Sequence, residues 1–232
     1  MIIGISGKKQ SGKDFAAKIF YRYLRSAFVP ASTFTTFEEK IFNDLEKQPM
    51  PIYEIDEIEV VRFADPVKDI VCLLIGCTRE QLEDPEFKDK PLSIDWGTVD
   101  ISTQEIEGHS VNLMRYELLT PRRMLQKIGT DAIRNHLHTN TWVNVFLRKY
   151  EEAKSKNHWM IVPDVRFLNE YDAIKKEMGL LIRVEKEGLD SKDNHPSEVS
   201  LDEQEFDHHI LWNSPEDLFN QVKQILILEN LV

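Results

Sequence analysis

The sequence predicts an α/β fold: a doubly wound parallel sheet of about five strands with helices on both faces. Three observations carry this. The chain opens on an apolar run, Ile2 to Ile5, that breaks at Gly7 into a glycine-bounded loop and then a helical period. Further apolar runs of strand length are continuous rather than alternating, as expected of strands covered on both faces. These runs alternate along the chain with stretches of helical periodicity.

The elements follow in order. From Lys13 to Ala27 the positions Ala16, Ile19, Phe20, Tyr23, Leu24 and Ala27 recur at helical spacing, with Lys18, Arg22 and Arg25 opposite. Residues 30–57 read as an excursion, with a helix from Glu38 to Leu45 and a break at prolines 49 and 51. Ile58 to Phe63 reads as a second strand, and Ala64-Asp65-Pro66 as the turn that delivers a helix from Val67 to Ile75. Residues 77–119 carry proline, aspartate and glycine punctuation, with a hairpin around Glu107-Gly108. Thr120-Pro121 opens a helix at its first-turn proline, and Thr141 to Tyr150 continues as helix. His158 to Asp164 is a strand, Leu168 to Met178 a helix and Gly179 to Val184 another strand. Glu185 to Glu205 is a polar loop or mobile cover, His209 to Trp212 a last short strand, and Ser214 caps a terminal helix. The whole, 1–232, reads as one domain with an inserted substrate-binding region around 77–140.

Composition narrows the function. A net charge of −11 disfavours a nucleic-acid polymer as partner, while a small phosphorylated substrate in a locally basic cleft is allowed. No apolar run approaches membrane-spanning length and no signal peptide precedes the first strand, so a cytoplasmic protein without membrane attachment is expected. Cys72 and Cys77 are read as buried thiols. His195, His208 and His209 do not make a zinc site, because adjacent histidines on a strand point to opposite faces.

The chemistry concentrates at strand ends. Gly7 to Lys13 is G-x-x-x-x-G-K, a loop whose backbone N–H groups cradle phosphate while Lys13 reaches the β/γ-phosphates. The residue after the lysine is Asp14, where Ser or Thr ordinarily holds Mg²⁺. Asp164, at the end of an apolar strand, stands where phosphate-loop proteins place a second metal-holding acid, with Arg166 two residues beyond. Lys68 lies in the first turn of its helix. If the helix from Pro121 runs through Gly129, then Arg123, Lys127, Asp131 and Arg134 share a face at three- and four-residue steps. The alternative for that face is an ordinary solvated, salt-bridged one.

These residues are similar to those of the phage deoxynucleoside monophosphate kinase family, phosphate-loop enzymes of the nucleoside-monophosphate-kinase type. The matching segments are SGKKQSGKD at 6–14, ADPVKD at 64–69, RRMLQKIGTDAIRN at 122–135 with Trp142, IVPDVRFLNE at 161–170, and HPSE at 195–198 followed by DHHI and the terminal helix. Residues 30–57 and 90–118 carry no match. The resemblance implies transfer of the γ-phosphoryl group of ATP to a deoxynucleoside 5′-monophosphate, with Mg²⁺. It implies ATP contacts from Gly7, Lys8, Ser11, Gly12, Lys13 and Asp14, and metal contacts from Asp14 and Asp164. Lys13, Arg123 and Arg166 take catalytic roles. Arg122, Arg123, Lys127, Arg134 and Trp142 hold the acceptor, Lys68 assists, and Asp131 reads sugar or base. The S-G-K-D loop recurs in the family, but many members follow it with Thr where this chain has Phe15. Two other readings stand: a phosphomevalonate-kinase-like enzyme, whose loop is also similar, and a nucleotide-binding switch without turnover. A homodimer is left open.

Overall fold

A computed structural model describes residues 1–27, 57–106, 109–189 and 199–231. The expected helix at Glu38 to Leu45, the turn at Glu107-Gly108, His195 with the HPSE segment, and the middle of the 185–205 cover lie outside the described residues. The elements in chain order are β1 (Ile2–Ser6), α1 (Lys13–Ala27), β2 (Ile58–Val60), α2 (Asp65–Ile75), α3 (Arg79–Glu83), α4 (Pro85–Asp89), β3 (Gly97–Ile106) and β4 (His109–Leu118). They continue with α5 (Pro121–Gln126), a π-helix (Lys127–Arg134), α6 (Thr141–Ser155), β5 (Trp159–Val165), α7 (Leu168–Lys176), β6 (Leu180–Lys186), β7 (His208–Trp212) and α8 (Pro215–Leu228). They form two compact units, one of Met1–Phe63 with Val143–Val232 and one of Ala64–Trp142.

The first unit holds a five-stranded sheet in the order β2-β5-β1-β6-β7, every neighbouring pair parallel. The continuous apolar runs have the reason expected of them. Ile3, Ile5, Ile161, Ile182 and Val184 pack with Ile19, Phe20, Leu24, Val222 and Leu226 of α1 and α8. Ile2, Met160, Val162 and Leu181, one residue out of phase, pack on the other face with Phe146, Tyr150, Tyr171 and Ile174 of α6 and α7. Gly4 admits α7 closely: a Cβ there would sit 2.8 Å from Ile174 Cδ1. Strand β1 is therefore central, and its C-terminal end feeds the glycine loop at the place where such sheets open a ligand crevice.

β2 is shorter than the apolar run predicts. Val61 N–H still reaches Ile161 O at 3.0 Å, but Phe63 N–H turns to the Asp164 carboxylate, also at 3.0 Å, and the ladder stops. The later strands and helices otherwise fall within a few residues of expectation, and Ser214 caps α8 by accepting from Asp217 N–H.

The second unit is built on a smaller core of Val71, Leu82, Leu119 and Met124. α2 starts two residues before the predicted Val67, with Pro66 in its first turn, and ends on the left-handed Gly76. Thr78 and Gln81 form a capping box that starts α3, and Asp84 caps α4. Arg79 joins Asp65 at 2.6 Å and Asp69 at 2.7 Å, fastening α3 back to the start of α2. β3 and β4 form an antiparallel pair that runs out from Gly97↔Leu118 to Ile106↔His109. Cys72 and Cys77 are free, half-buried rather than fully buried, with sulfurs 3.7 Å apart. Burial and the hydrogen bond with Cys77 push the Cys72 thiol up to about 11.

Leu82 is fully buried in this small core, so Leu82→Ala should cost about 2–5 kcal/mol. In hydrogen exchange, amide protection should fall in α2, α3 and α5 while β1, β5 and β6 keep theirs. Equal loss in both sets would show that the two units unfold as one.

Candidate active site

In the first unit the loop between β1 and α1 has the backbone of an anion cradle. Gln10 and Gly12 both take positive φ, 65° and 91°, and such left-handed residues alternating with right-handed ones turn successive N–H groups inward. Glycine is required at both ends of the loop. A Cβ on Gly7 would lie 2.3 Å from Ser11 Oγ and 2.5 Å from Val184 O. One on Gly12 would lie 2.6 Å from the Trp212 ring, on top of the strain of its φ. Trp212, at the end of β7, also donates from Nε1 to Ser11 O at 2.6 Å. Lys186 Nζ stands 4.8 Å over the same ring. Lys13 is 7% exposed and its ammonium donates across the loop to Lys8 O at 3.3 Å. Ser11 Oγ is buried with no hydrogen-bond partner, an arrangement that ordinarily costs about 1–3 kcal/mol and that an incoming acceptor oxygen would relieve.

Two carboxylates are candidates to act with this loop, one opening α1 and one near the end of β5. Asp14 begins α1 and is largely exposed, with Arg62 Nη2 3.2 Å from its Oδ1. Asp164, half-buried near the end of β5, is held by Phe63 N–H. Arg166 follows it, and its backbone N–H, with that of Phe167, donates to the buried Glu170. Carboxylate oxygens are hard donors suited to Mg²⁺, an ion that proteins commonly hold through one or two acids together with ligand phosphates. Among the described residues no group of three or more His, Cys, Asp or Glu could hold a metal ion by itself. Asp14 and Asp164 supply donors of this kind. His208 instead meets Glu229 at 2.7 Å, and His209 packs edge-on against Phe206.

Behind the loop lies a second charged cluster. Arg183 on β6 is 5% exposed and donates to Ser6 Oγ at 3.1 Å and to Asp202. Asp202 also takes Lys8 Nζ at 3.2 Å. One carboxylate therefore ties the loop's first lysine, the buried arginine and the chain leading into β7 together.

The second unit gathers the other candidates. α5 starts at Pro121, capped by Thr120 Oγ1 accepting from Arg123 N–H at 3.2 Å. It passes directly into the π-helix, where Asn135 N–H reaches Thr130 O at 2.9 Å and His138 N–H reaches Ile133 O at 3.0 Å. Trp142 is buried and donates from Nε1 to Gly129 O at 2.9 Å, which fixes the carbonyl at the middle of this segment. The expected α-helical face is altered accordingly. The step from Arg123 to Lys127 is still α-helical, since Lys127 N–H bonds to Arg123 O, and only the stretch from Lys127 to Arg134 takes the wider π turn. All three are exposed, while Arg134 is half-buried. π-segments are frequent at functional sites.

Two of the candidate cations are committed elsewhere in this unit. Arg122 grips Asp89 with two hydrogen bonds, Nε to Oδ1 at 2.5 Å and Nη2 to Oδ2 at 3.0 Å, and that carboxylate holds the guanidinium above its ordinary pKa. Lys68 is ion-paired with Glu83, which Lys88 also approaches at 3.5 Å. Arg123 and Lys127 make no side-chain hydrogen bond or ion pair among the described residues.

Sequence reasoning did not find Trp212, Arg62, Arg183 or Asp202. Their signals are weak in one dimension: Trp212 is 201 residues from Ser11 and Arg183 is 177 from Ser6. The one hint was Arg62 and Trp212 each standing at a strand end.

Comparison with known proteins gives the same direction. A family model described as deoxynucleotide monophosphate kinase matches residues 1–222. A protein of Acanthamoeba polyphaga mimivirus, provisionally named a deoxynucleotide monophosphate kinase, is 42% identical over 91 residues, 35% of this chain and 47% of that protein. The deoxynucleotide monophosphate kinase of Enterobacteria phage T4 is 35% identical over 107 residues, 45% of this chain and 44% of the relative. That of Escherichia phage RB69 is 28% identical over 130 residues, 55% and 53% of the two chains. The matches thus span about half the length of these curated relatives, and none of the three carries the phosphomevalonate kinase name. With the family model running through nearly the whole sequence, this chain belongs to the deoxynucleotide monophosphate kinase family.

Proposed function

We propose that the chain is an enzyme that transfers the γ-phosphoryl group of ATP, with Mg²⁺, to a deoxynucleoside 5′-monophosphate, giving the diphosphate and ADP. The observation that carries this is the glycine loop itself, whose left-handed Gln10 and Gly12, buried Lys13 and orphaned Ser11 hydroxyl make a site lacking only an anion. Membership of the kinase family and the basic π-helix of the second unit support a phosphomonoester as acceptor.

Phosphoryl transfer asks the protein mainly for positioning and for neutralising charge. The loop N–H groups bind the donor phosphates and Lys13 places its ammonium on the oxygens that gain charge. Asp14 and Asp164 would hold Mg²⁺, which supplies neutralisation of the phosphate oxygens. Arg123 and Lys127 bind the acceptor phosphate, Asp131 meets its sugar or base, and Arg134 lends charge from a half-buried position. Arg166 stabilises charge at the transferring group. Lys68 and Arg122 reach the acceptor only by leaving or sharing their carboxylates, and Trp142 acts by holding Gly129. No described helix is long and apolar enough to cross a membrane. We place the enzyme in the cytoplasm of a phage-infected host, with small molecules as its substrates and a homodimer as one possible assembly.

A coupled ADP-release assay with MgATP over the deoxynucleoside monophosphates should show turnover with at least one of them. Turnover with phosphomevalonate alone, or none at all, rejects the proposal. Lys13→Ala should lower kcat by roughly 10²–10³ with the thermal melt unchanged; near-normal kcat would remove the lysine from the mechanism. Arg123→Ala should raise the KM for the monophosphate roughly tenfold or more, the loss of one charged hydrogen bond, while the KM for ATP stays put. A rise in the ATP KM instead would assign Arg123 to the donor.

A further inference from the structure

The loop's departure from G-x-x-x-x-G-K-[ST] leaves Asp14 where a hydroxyl would serve a metal and Phe15, half-buried against the α1 core, where the next hydroxyl could have stood. A carboxylate in that place raises a problem that a hydroxyl does not. Before any metal arrives it is a full negative charge beside a loop built to receive phosphate, and it would repel that ligand. The structure answers with Arg62, whose Nη2 lies 3.2 Å from Asp14 Oδ1. Its placement is specific. Arg62 and Phe63 are consecutive at the end of β2, and they address the two acids in turn: the Arg62 side chain takes Asp14, and the Phe63 backbone N–H takes Asp164. The early end of the β2 ladder at Val60 is what frees this pair of residues from sheet pairing.

We propose that Arg62 is the resident counter-cation of the divalent-metal position, occupying Asp14 until a metal ion displaces it. This rests on the phosphoryl-transfer reading for its biological use, but the competition itself belongs to the apoprotein. The guanidinium neutralises Asp14 so that a nucleotide phosphate can approach. It also sets a threshold, because free metal must displace a cation to bind Asp14. A pair this exposed is worth little to folding, with Arg62 27% and Asp14 60% exposed at their side chains, so its removal leaves the protein folded.

The test is the affinity of the nucleotide-free full chain for Mn²⁺ alone, read from the free-ion electron paramagnetic resonance signal. Arg62→Gln should bind Mn²⁺ roughly three- to tenfold more tightly than wild type, since both the competing charge and its repulsion of the ion are gone. Arg62→Lys, which keeps a cation, should stay close to wild type. The gain should vanish in the Arg62→Gln/Asp14→Asn double variant. Unchanged or weaker Mn²⁺ binding in Arg62→Gln, or a gain that survives loss of the Asp14 charge, overturns the proposal. Failure here beside normal ADP release by wild type sinks this inference alone. The expected Mn²⁺ pattern in a wild type that makes no ADP sinks the kinase reading and leaves the counter-cation standing.

Discussion

The contact on which the glycine loop depends is the one between Trp212 and the backbone at Ser11 and Gly12. Gly12 has no side chain because the indole fills the space a Cβ would need, and the indole N–H holds the Ser11 carbonyl outward. With its carbonyl engaged by the indole and its N–H donated to Lys8 O at 3.1 Å, Ser11 is fixed from both sides. The ring reaches this position because β7 completes the sheet beside β6, with Trp212 opposite Lys186 in register. The geometry of the fifth strand is thus part of the chemistry at the end of the first.

Charge around the loop is arranged by pairing. Asp202 serves Lys8 and the buried Arg183, Asp14 serves Arg62, and the chain as a whole is acidic. Buried or crowded cations without partners would be costly, and paired ones cost less.

Much of the fold was legible because it is local. Continuous apolar runs, the Thr120-Pro121 and Ser214-Pro215 starts, and the glycine loop each state their structure within a few residues, and the sheet realises them in the predicted α/β arrangement. What the sequence concealed is where a local preference meets a distant partner. β2 reads as six residues of strand, but the Asp164 carboxylate takes the Phe63 N–H and ends it early. Arg123 to Arg134 reads as one α-helical face, but the segment opens into a π-helix with the Trp142 indole on Gly129 O. The partners of Arg122 and Lys68, Asp89 and Glu83, were likewise not legible in the sequence.

Arg123, Lys127 and Asp131 bear on the acceptor we propose. Arg123 and Lys127 are both exposed and stand one α-helical turn apart, so in the proposed function two cations can meet one phosphate group. Asp131, exposed on the same segment, would repel a polyanion but can accept hydrogen bonds from a neutral sugar or base. Under the proposed function this combination suits a ligand with one charged end and one neutral, hydrogen-bonding end. A nucleoside monophosphate has that form, and a long phosphate chain or a nucleic-acid strand does not.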